Sequence, residues 1–219
     1  EEDPYTEFFT ETCGNNIVVR LSRFEVDLNR SRDKAIYLKP SDAWGLQVRR
    51  EPPESEVLQE SLAKYDWFYL HTARMLHQVK NRFGNFFIYD IHSYNHRRHG
   101  PLAEPDDPHL NPEINLGYNS IPLKYKALIP ELQQKLAEQK LGQQRLDVRI
   151  NVKFTSGYFA NWVHENFPDS ACCVSVEFKK IFMDEWSGEL DPDKIFALRK
   201  ALQSTFPVVL KYLQELGNS

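Results

Sequence analysis

The sequence predicts an α/β fold, a mixed, largely parallel central sheet flanked by helices. Strand-like apolar runs alternate along the chain with long amphipathic stretches, the pattern of a sheet sandwiched by helices. The run Phe86-Phe87-Ile88-Tyr89-Asp90-Ile91 follows the breaker Gly84-Asn85 and passes at once into His92, His96, Arg97, Arg98, His99 and Gly100. That is a buried strand with a polar exit, and in open α/β sheets ligands bind beyond such exits. With 219 residues, 41% of them hydrophobic, the chain can bury one proper core, so residues 1–219 read as a single α/β domain.

Residues 16–28 alternate through Ile17, Val19, Leu21, Phe24, Val26 and Leu28 and predict a strand ending in the polar cluster Asn29-Arg30-Ser31-Arg32-Asp33. Pro40, Gly45, Pro52 and Pro53 make residues 39–55 a loop around Trp44. Residues 54–82 predict a long helix on Leu58, Leu62, Tyr65, Leu70, Ala73, Leu76 and Val79, with Gly84 as its terminator. The His92 strand comes next. The proline-rich stretch 100–121 is an extended loop holding one short strand, Ile114-Asn115-Leu116-Gly117. Residues 122–140 predict a helix kinked or split at Pro130, and residues 145–154 alternate into a strand. A short helix spans residues 158–167. Residues 172–182 alternate again, and residues 191–216 form a last helix that starts on Asp191-Pro192 and kinks at Pro207.

Composition excludes several classes of partner. A net charge of −4 spread over both signs gives no footprint for nucleic acid or an anionic membrane. No apolar run approaches the ~18–20 residues that span a bilayer, and Glu1-Glu2-Asp3-Pro4 is not a signal peptide. Three cysteines make no disulfide framework, and Cys172-Cys173 lies in the largely apolar run 171–176. Buried free thiols in the cytoplasm are the expectation.

Four positions carry chemistry, each with a plainer alternative. Asp90 and His92 share a strand face, either as a site pair or as a structural one. Asn29-Arg30 offers a donor fork suited to a carboxylate, or is a solvated turn with Arg30 or Arg32 paired to Asp33. Glu177, inside an apolar strand, is either solvent-facing on an edge or a general base with a raised pKa. His92 and His96 have the His-x-x-x-His spacing of a metal pair, though across a strand end, while His71, His77, His109 and His164 read as helix-surface or loop residues.

The ordered set Val26-Asp27-Leu28-Asn29-Arg30, Ile91-His92-Ser93-Tyr94, Ser156-Gly157 with Trp162, and Val176-Glu177-Phe178 resembles the N-formylglutamate amidohydrolase family, as does Pro112–Gly117. The resemblance runs from about Phe24 to Glu185. It implies a three-layer sandwich similar to zinc carboxypeptidases and phosphorylases. It also implies a zinc-dependent hydrolase that releases formate and an acidic amino acid through attack of a metal-bound water. In that scheme His92 is a metal ligand, Glu177 is the general base, Asn29 and Arg30 hold the substrate carboxylate, and Arg23 supports the substrate or a developing oxyanion. The carboxypeptidase relatives place a mobile tyrosine just before the Ser-Gly element, where this chain has Lys153-Phe154. Tyr158 is the remaining substrate-binding candidate. The family takes its other zinc ligands from a histidine motif upstream of Asn29, where this chain has no histidine. Two further ligands, and an N-terminal segment of the family fold, are therefore expected outside the sequence. The other readings are a carboxypeptidase-like hydrolase of carboxylate-bearing amides, or a non-catalytic carboxylate-binding protein with an incomplete metal site. The expected partner is a small-molecule carboxylate. The sequence does not set the oligomeric state.

Overall fold

A computed structural model describes residues 2–11, 14–119 and 121–218. The elements run in the order α1 (Glu7–Thr10), α2 (Ser55–Phe83), β1 (Phe86–Tyr94), β2 (Ile114–Gly117), α3 (Leu128–Ala137), β3 (Lys140–Leu141), β4 (Gln144–Arg145), β5 (Val148–Ile150), α4 (Tyr158–Asn166), β6 (Ala171–Lys179), α5 (Pro192–Gln203) and α6 (Phe206–Gly217). The chain forms two compact units, one of Asp3–Ile17 and Asn85–Ser219, the other of Glu2 and Val18–Gly84.

The first unit is built on a four-stranded sheet of order β1-β6-β2-β5. β1 lies parallel to β6, β2 parallel to β5, and β2 antiparallel to β6. Alternation sorts the sheet into two unlike faces. On one, Cys172, Val174, Val176 and Phe178 of β6 join Ile114 and Leu116 of β2 in a core shared with Leu128, Leu132 and Leu136 of α3, Ile195, Leu198 and Leu202 of α5, and Val209 of α6. Phe9 of α1 stacks on Phe178 at 4.3 Å and closes this layer. α4 packs on β6 from the other face, where Phe167 meets Phe86 edge-on at 5.6 Å. The predicted sheet with helices on both faces is therefore present.

Both predicted proline kinks fall elsewhere. α3 begins at Leu128, so Pro130 sits in its first turn, where no intrahelical partner awaits an N–H. The helix divides before Pro130, with a 3₁₀ turn over Leu123–Tyr125. The C-terminal stretch is two helices broken at Ser204-Thr205, with Pro207 again in a first turn. Asp191 caps α5 as predicted, its carboxylate accepting the Lys194 N–H at 3.1 Å. β5 is shorter than predicted because Asn151 turns left-handed, with φ of 55°, and the buried Asn115 holds the chain beyond it. The Asn115 amide donates to Phe154 O and accepts the N–H groups of Val152 and Lys153, all at 2.9 Å. Gly117 is needed beside this loop, since a Cβ there would stand 3.0 Å from Phe154 O.

The second unit holds α2, which ends on Gly84 at φ of 74° as its sequence predicts. Its buried stripe is Ser61, Tyr65, Tyr69, Thr72 and Leu76, while Leu70 is half exposed. The predicted strand over residues 16–28 is absent. Ile17, Val18, Val19 and Leu21 are exposed coil, and no strand pairs with them among the described residues. Alternation fits a strand, but a strand also needs a neighbour for its amides.

Cys172 and Cys173 are buried free thiols, while Cys13 lies outside the described residues. No described helix is long and apolar enough to cross a membrane. His164, expected at a surface, is buried in α4, and its Nε2 accepts the Cys173 N–H at 2.9 Å. Burial lowers its pKa to about 4. The folded state thus disfavours the imidazolium, and below the unfolded pKa of about 6.5 the unfolded chain binds the proton more readily. Stability is expected to fall by up to about 3 kcal/mol as pH drops from 6.5 toward 4. Urea unfolding at pH 7, 5 and 4 measures this, and His164→Gln, which still accepts through Oε1, should flatten that part of the curve.

Candidate active site

In the first unit the sheet face opposite the core is polar. It carries Asp90 and His92 of β1, Ser175 and Glu177 of β6, and Asn115 of β2. In the strand register Asp90 pairs with Ser175, and Glu177 with both His92 and Asn115. Glu177 lies in a strand flanked on both sides, which corrects the edge-strand alternative. β1 is an outer strand of this sheet and runs on to Tyr94, so His92 stands within an outer strand rather than beyond its end.

His92 is held between two carboxylates. Its Nε2 is 3.1 Å from Asp90 Oδ1, and its Nδ1 is 3.3 Å from Asp3 Oδ2. Asp3 is fixed through its other oxygen, which accepts the Ser93 N–H at 2.7 Å and the Ser93 hydroxyl at 3.0 Å. Asp90 in turn accepts the Ser175 hydroxyl at 3.1 Å. Burial opposes charge on the imidazole, but the Asp90 and Glu177 carboxylates, with hydrogen bonds to Asp3 and Asp90, hold its pKa well above the ordinary value.

His96 does not join His92. Its Nδ1 lies 2.6 Å from Glu185 Oε1, and Glu185 also accepts the backbone N–H groups of His96 and Arg97. Burial would raise the Glu185 carboxyl, but these contacts keep it below its usual value. A cleft of about 790 Å³ is lined by His96, Arg97, Lys180 and Glu185 among others, and His92 and Glu177 are not in its lining. Tyr158 opens α4, half-buried.

The second unit gathers Arg23, Asn29 and Arg30 around Asp27, which is only 2% exposed. Asp27 Oδ2 faces Arg23 Nη2 at 2.8 Å and Arg30 Nε at 3.6 Å and accepts the Tyr37 hydroxyl, while Oδ1 accepts the Asn29 N–H at 2.8 Å. Neither Arg30 nor Arg32 pairs with Asp33, since Arg32 binds Asp66 at 2.7 Å. The backbone of this turn is tied down by Tyr65, which donates to Arg30 O, and by Tyr69, which donates to Leu28 O.

Residues 1–183 match the family described as N-formylglutamate amidohydrolase. The chain belongs to this family. Among solved structures, an N-formylglutamate amidohydrolase from Ralstonia eutropha JMP134 is similar to this family member at a TM-score of 0.62 and 14% identity, over 88% of this chain and 74% of that one. A gene product from Agrobacterium tumefaciens has a TM-score of 0.48 and 18% identity over 84% and 69% of the two chains. No curated protein matches the chain.

The family resemblance implies a zinc ion. A carboxylate oxygen and an imidazole nitrogen 3.3 Å apart suit two ligands of one tetrahedral zinc, whose ligands at ~2.0–2.1 Å stand about 3.3 Å from each other. The Asp90 carboxylate on the other nitrogen is the usual support of a metal-bound histidine. Asp3 and His92 therefore fit as a pair. Among the described residues no group of three His, Cys, Asp or Glu side chains is placed to hold a metal. Asp3 was not legible in the sequence, being one acid of an acidic N-terminal run that meets β1 only on folding.

Asp27→Ala should cost about 3–5 kcal/mol, because it leaves two guanidinium groups against an empty buried position. Urea denaturation followed by tryptophan fluorescence checks this.

Proposed function

We propose that this family member is a zinc-dependent hydrolase of an N-acyl acidic amino acid, with N-formylglutamate the first substrate to try. The observation that carries the reading is His92, clamped between Asp3 and Asp90 with Glu177 in register beside it. His92 and Asp3 would hold the metal, and Asp90 would fix the ring and its tautomer. A bound zinc supplies Lewis acidity and brings the pKa of water down to about 7. Glu177 takes the proton from the attacking water and returns it to the amide nitrogen as the C–N bond breaks, leaving formate and the free amino acid. Arg30 and Asn29 hold the substrate carboxylate, Arg23 supports it or the developing oxyanion, and Tyr158 is a further substrate contact.

A second reading is a carboxylate-binding protein without hydrolysis. It is favoured by the finding that, among the described residues, no group of three His, Cys, Asp or Glu side chains is placed to hold a metal.

Zinc titration with metal analysis separates the two. One bound equivalent, weakened at least tenfold by His92→Ala and by Asp3→Asn, is expected for the enzyme. Unchanged zinc binding in His92→Ala would overturn the assignment. In zinc-loaded protein, Glu177→Gln should lower formate release from N-formylglutamate by about 10²–10⁴-fold. Retained turnover would remove Glu177 from the role of base.

A further inference from the structure

We propose that Trp44 is a specificity-determining residue that builds the carboxylate subsite by orienting the Arg23 and Arg30 guanidinium groups. This rests on the reading that these arginines bind the substrate carboxylate. The Trp44 ring lies 4.9 Å from Arg23 Cζ and 5.5 Å from Arg30 Cζ, so one indole serves both cations. Tyr37 stands edge-on to Trp44 at 5.9 Å, lies 5.1 Å from Arg30 Cζ, and gives its hydroxyl to Asp27. Both guanidinium groups thus lie against the Trp44 ring and the Asp27 carboxylate, and Arg30 lies against Tyr37 as well.

Trp44 is 46% exposed, so part of it stays open to solvent beside the two guanidinium groups. Its backbone is left-handed at φ of 55°, beyond the 3₁₀ turn Pro40–Ala43, and Gly45 follows at φ of 88°. A bulky residue in that conformation persists only where its surroundings impose it. Here the turn does so, with the Gly45 N–H on Pro40 O at 2.8 Å and the Asp42 carboxylate on the amides of Leu38 and Lys39.

Charge then selects the ligand. Arg23 and Arg30 bring two positive charges against the buried Asp27, with the Asp42 carboxylate also within electrostatic reach of Arg30. Arg30 faces Asp27 through Nε, and its two terminal nitrogens make no hydrogen bond among the described residues. An Nη fork of that kind takes one carboxylate by two parallel bonds. The subsite is therefore suited to one carboxylate group, and a neutral amide in its place lacks the charge.

The test uses the full chain and glutarate, with glutaramide as the neutral control. Glutarate should change the tryptophan emission and glutaramide should not. The change should vanish in Trp44→Phe, which keeps Trp67, Trp162 and Trp186. Trp44→Ala should raise KM for N-formylglutamate about tenfold with kcat within about twofold, and Trp44→Phe should raise it by less. A glutarate signal that persists in Trp44→Phe, or unchanged KM in both variants, overturns the proposal. If Trp44→Ala does not fold, the emission change and KM of Trp44→Phe decide. Wild-type protein that binds glutarate through Trp44 yet leaves N-formylglutamate intact overturns the hydrolase reading and supports the subsite.

Discussion

The in-register parallel pairing of β1 with β6 is the constraint on which the first unit depends. Alternation sends one set of side chains into the core and the other into a polar row, so the same ladder fixes both packing and chemistry. A slip of β1 by one residue would turn Asp90 and His92 toward the core, where Tyr89 and Ile91 now pack. Burying those two ionisable groups without partners would cost a large part of a domain's margin of stability. The apolar face therefore enforces the polar one, and His92 and Glu177 are neighbours because Val174, Val176 and Phe178 need the core.

In the second unit a single buried carboxylate plays the corresponding part. Asp27, only 2% exposed, has its two oxygens satisfied by Arg23, Arg30, the Tyr37 hydroxyl and the Asn29 amide. These partners converge because the turn places the Asn29 amide and the Arg30 side chain just after the acid. Trp44 and Tyr37 then limit how the two guanidinium groups can tilt.

How much was legible in the sequence followed the range of the interactions involved. α2, β1, β2, α4 and β6 lie close to where periodicity places them, since each pattern is local and each element buries a regular stripe. Residues 16–28 have the same alternation and form no strand, because pairing is a property of two segments and pattern is a property of one. Pro130 and Pro207 read as kinks because sequence does not say where the first turn of a helix begins. Arg30, His92 and Glu177 stood out by their local settings, the resemblance gave them roles, and folding gathers them into two clusters. Asp3 and Trp44 had no signal: one is an acid among acids, the other a tryptophan in a loop, and their partners are remote in the chain. His164 was misplaced because helix α4 is covered by Phe167 and the sheet, which periodicity over so short a helix does not reveal.

The two adjacent thiols of β6 have a consequence for handling the protein. Cys172 and Cys173 are fully buried in the strand flanked on both sides, and burial pushes both thiols far from thiolate. An alkylating reagent reaches them only when β6 leaves the sheet, so their labelling rate is a clock for the opening of the layer that carries the polar row. One thiol points into the core and its neighbour toward the Asp90 face. A mass spectrum that distinguishes the two sites would therefore report which side of the sheet loosens first.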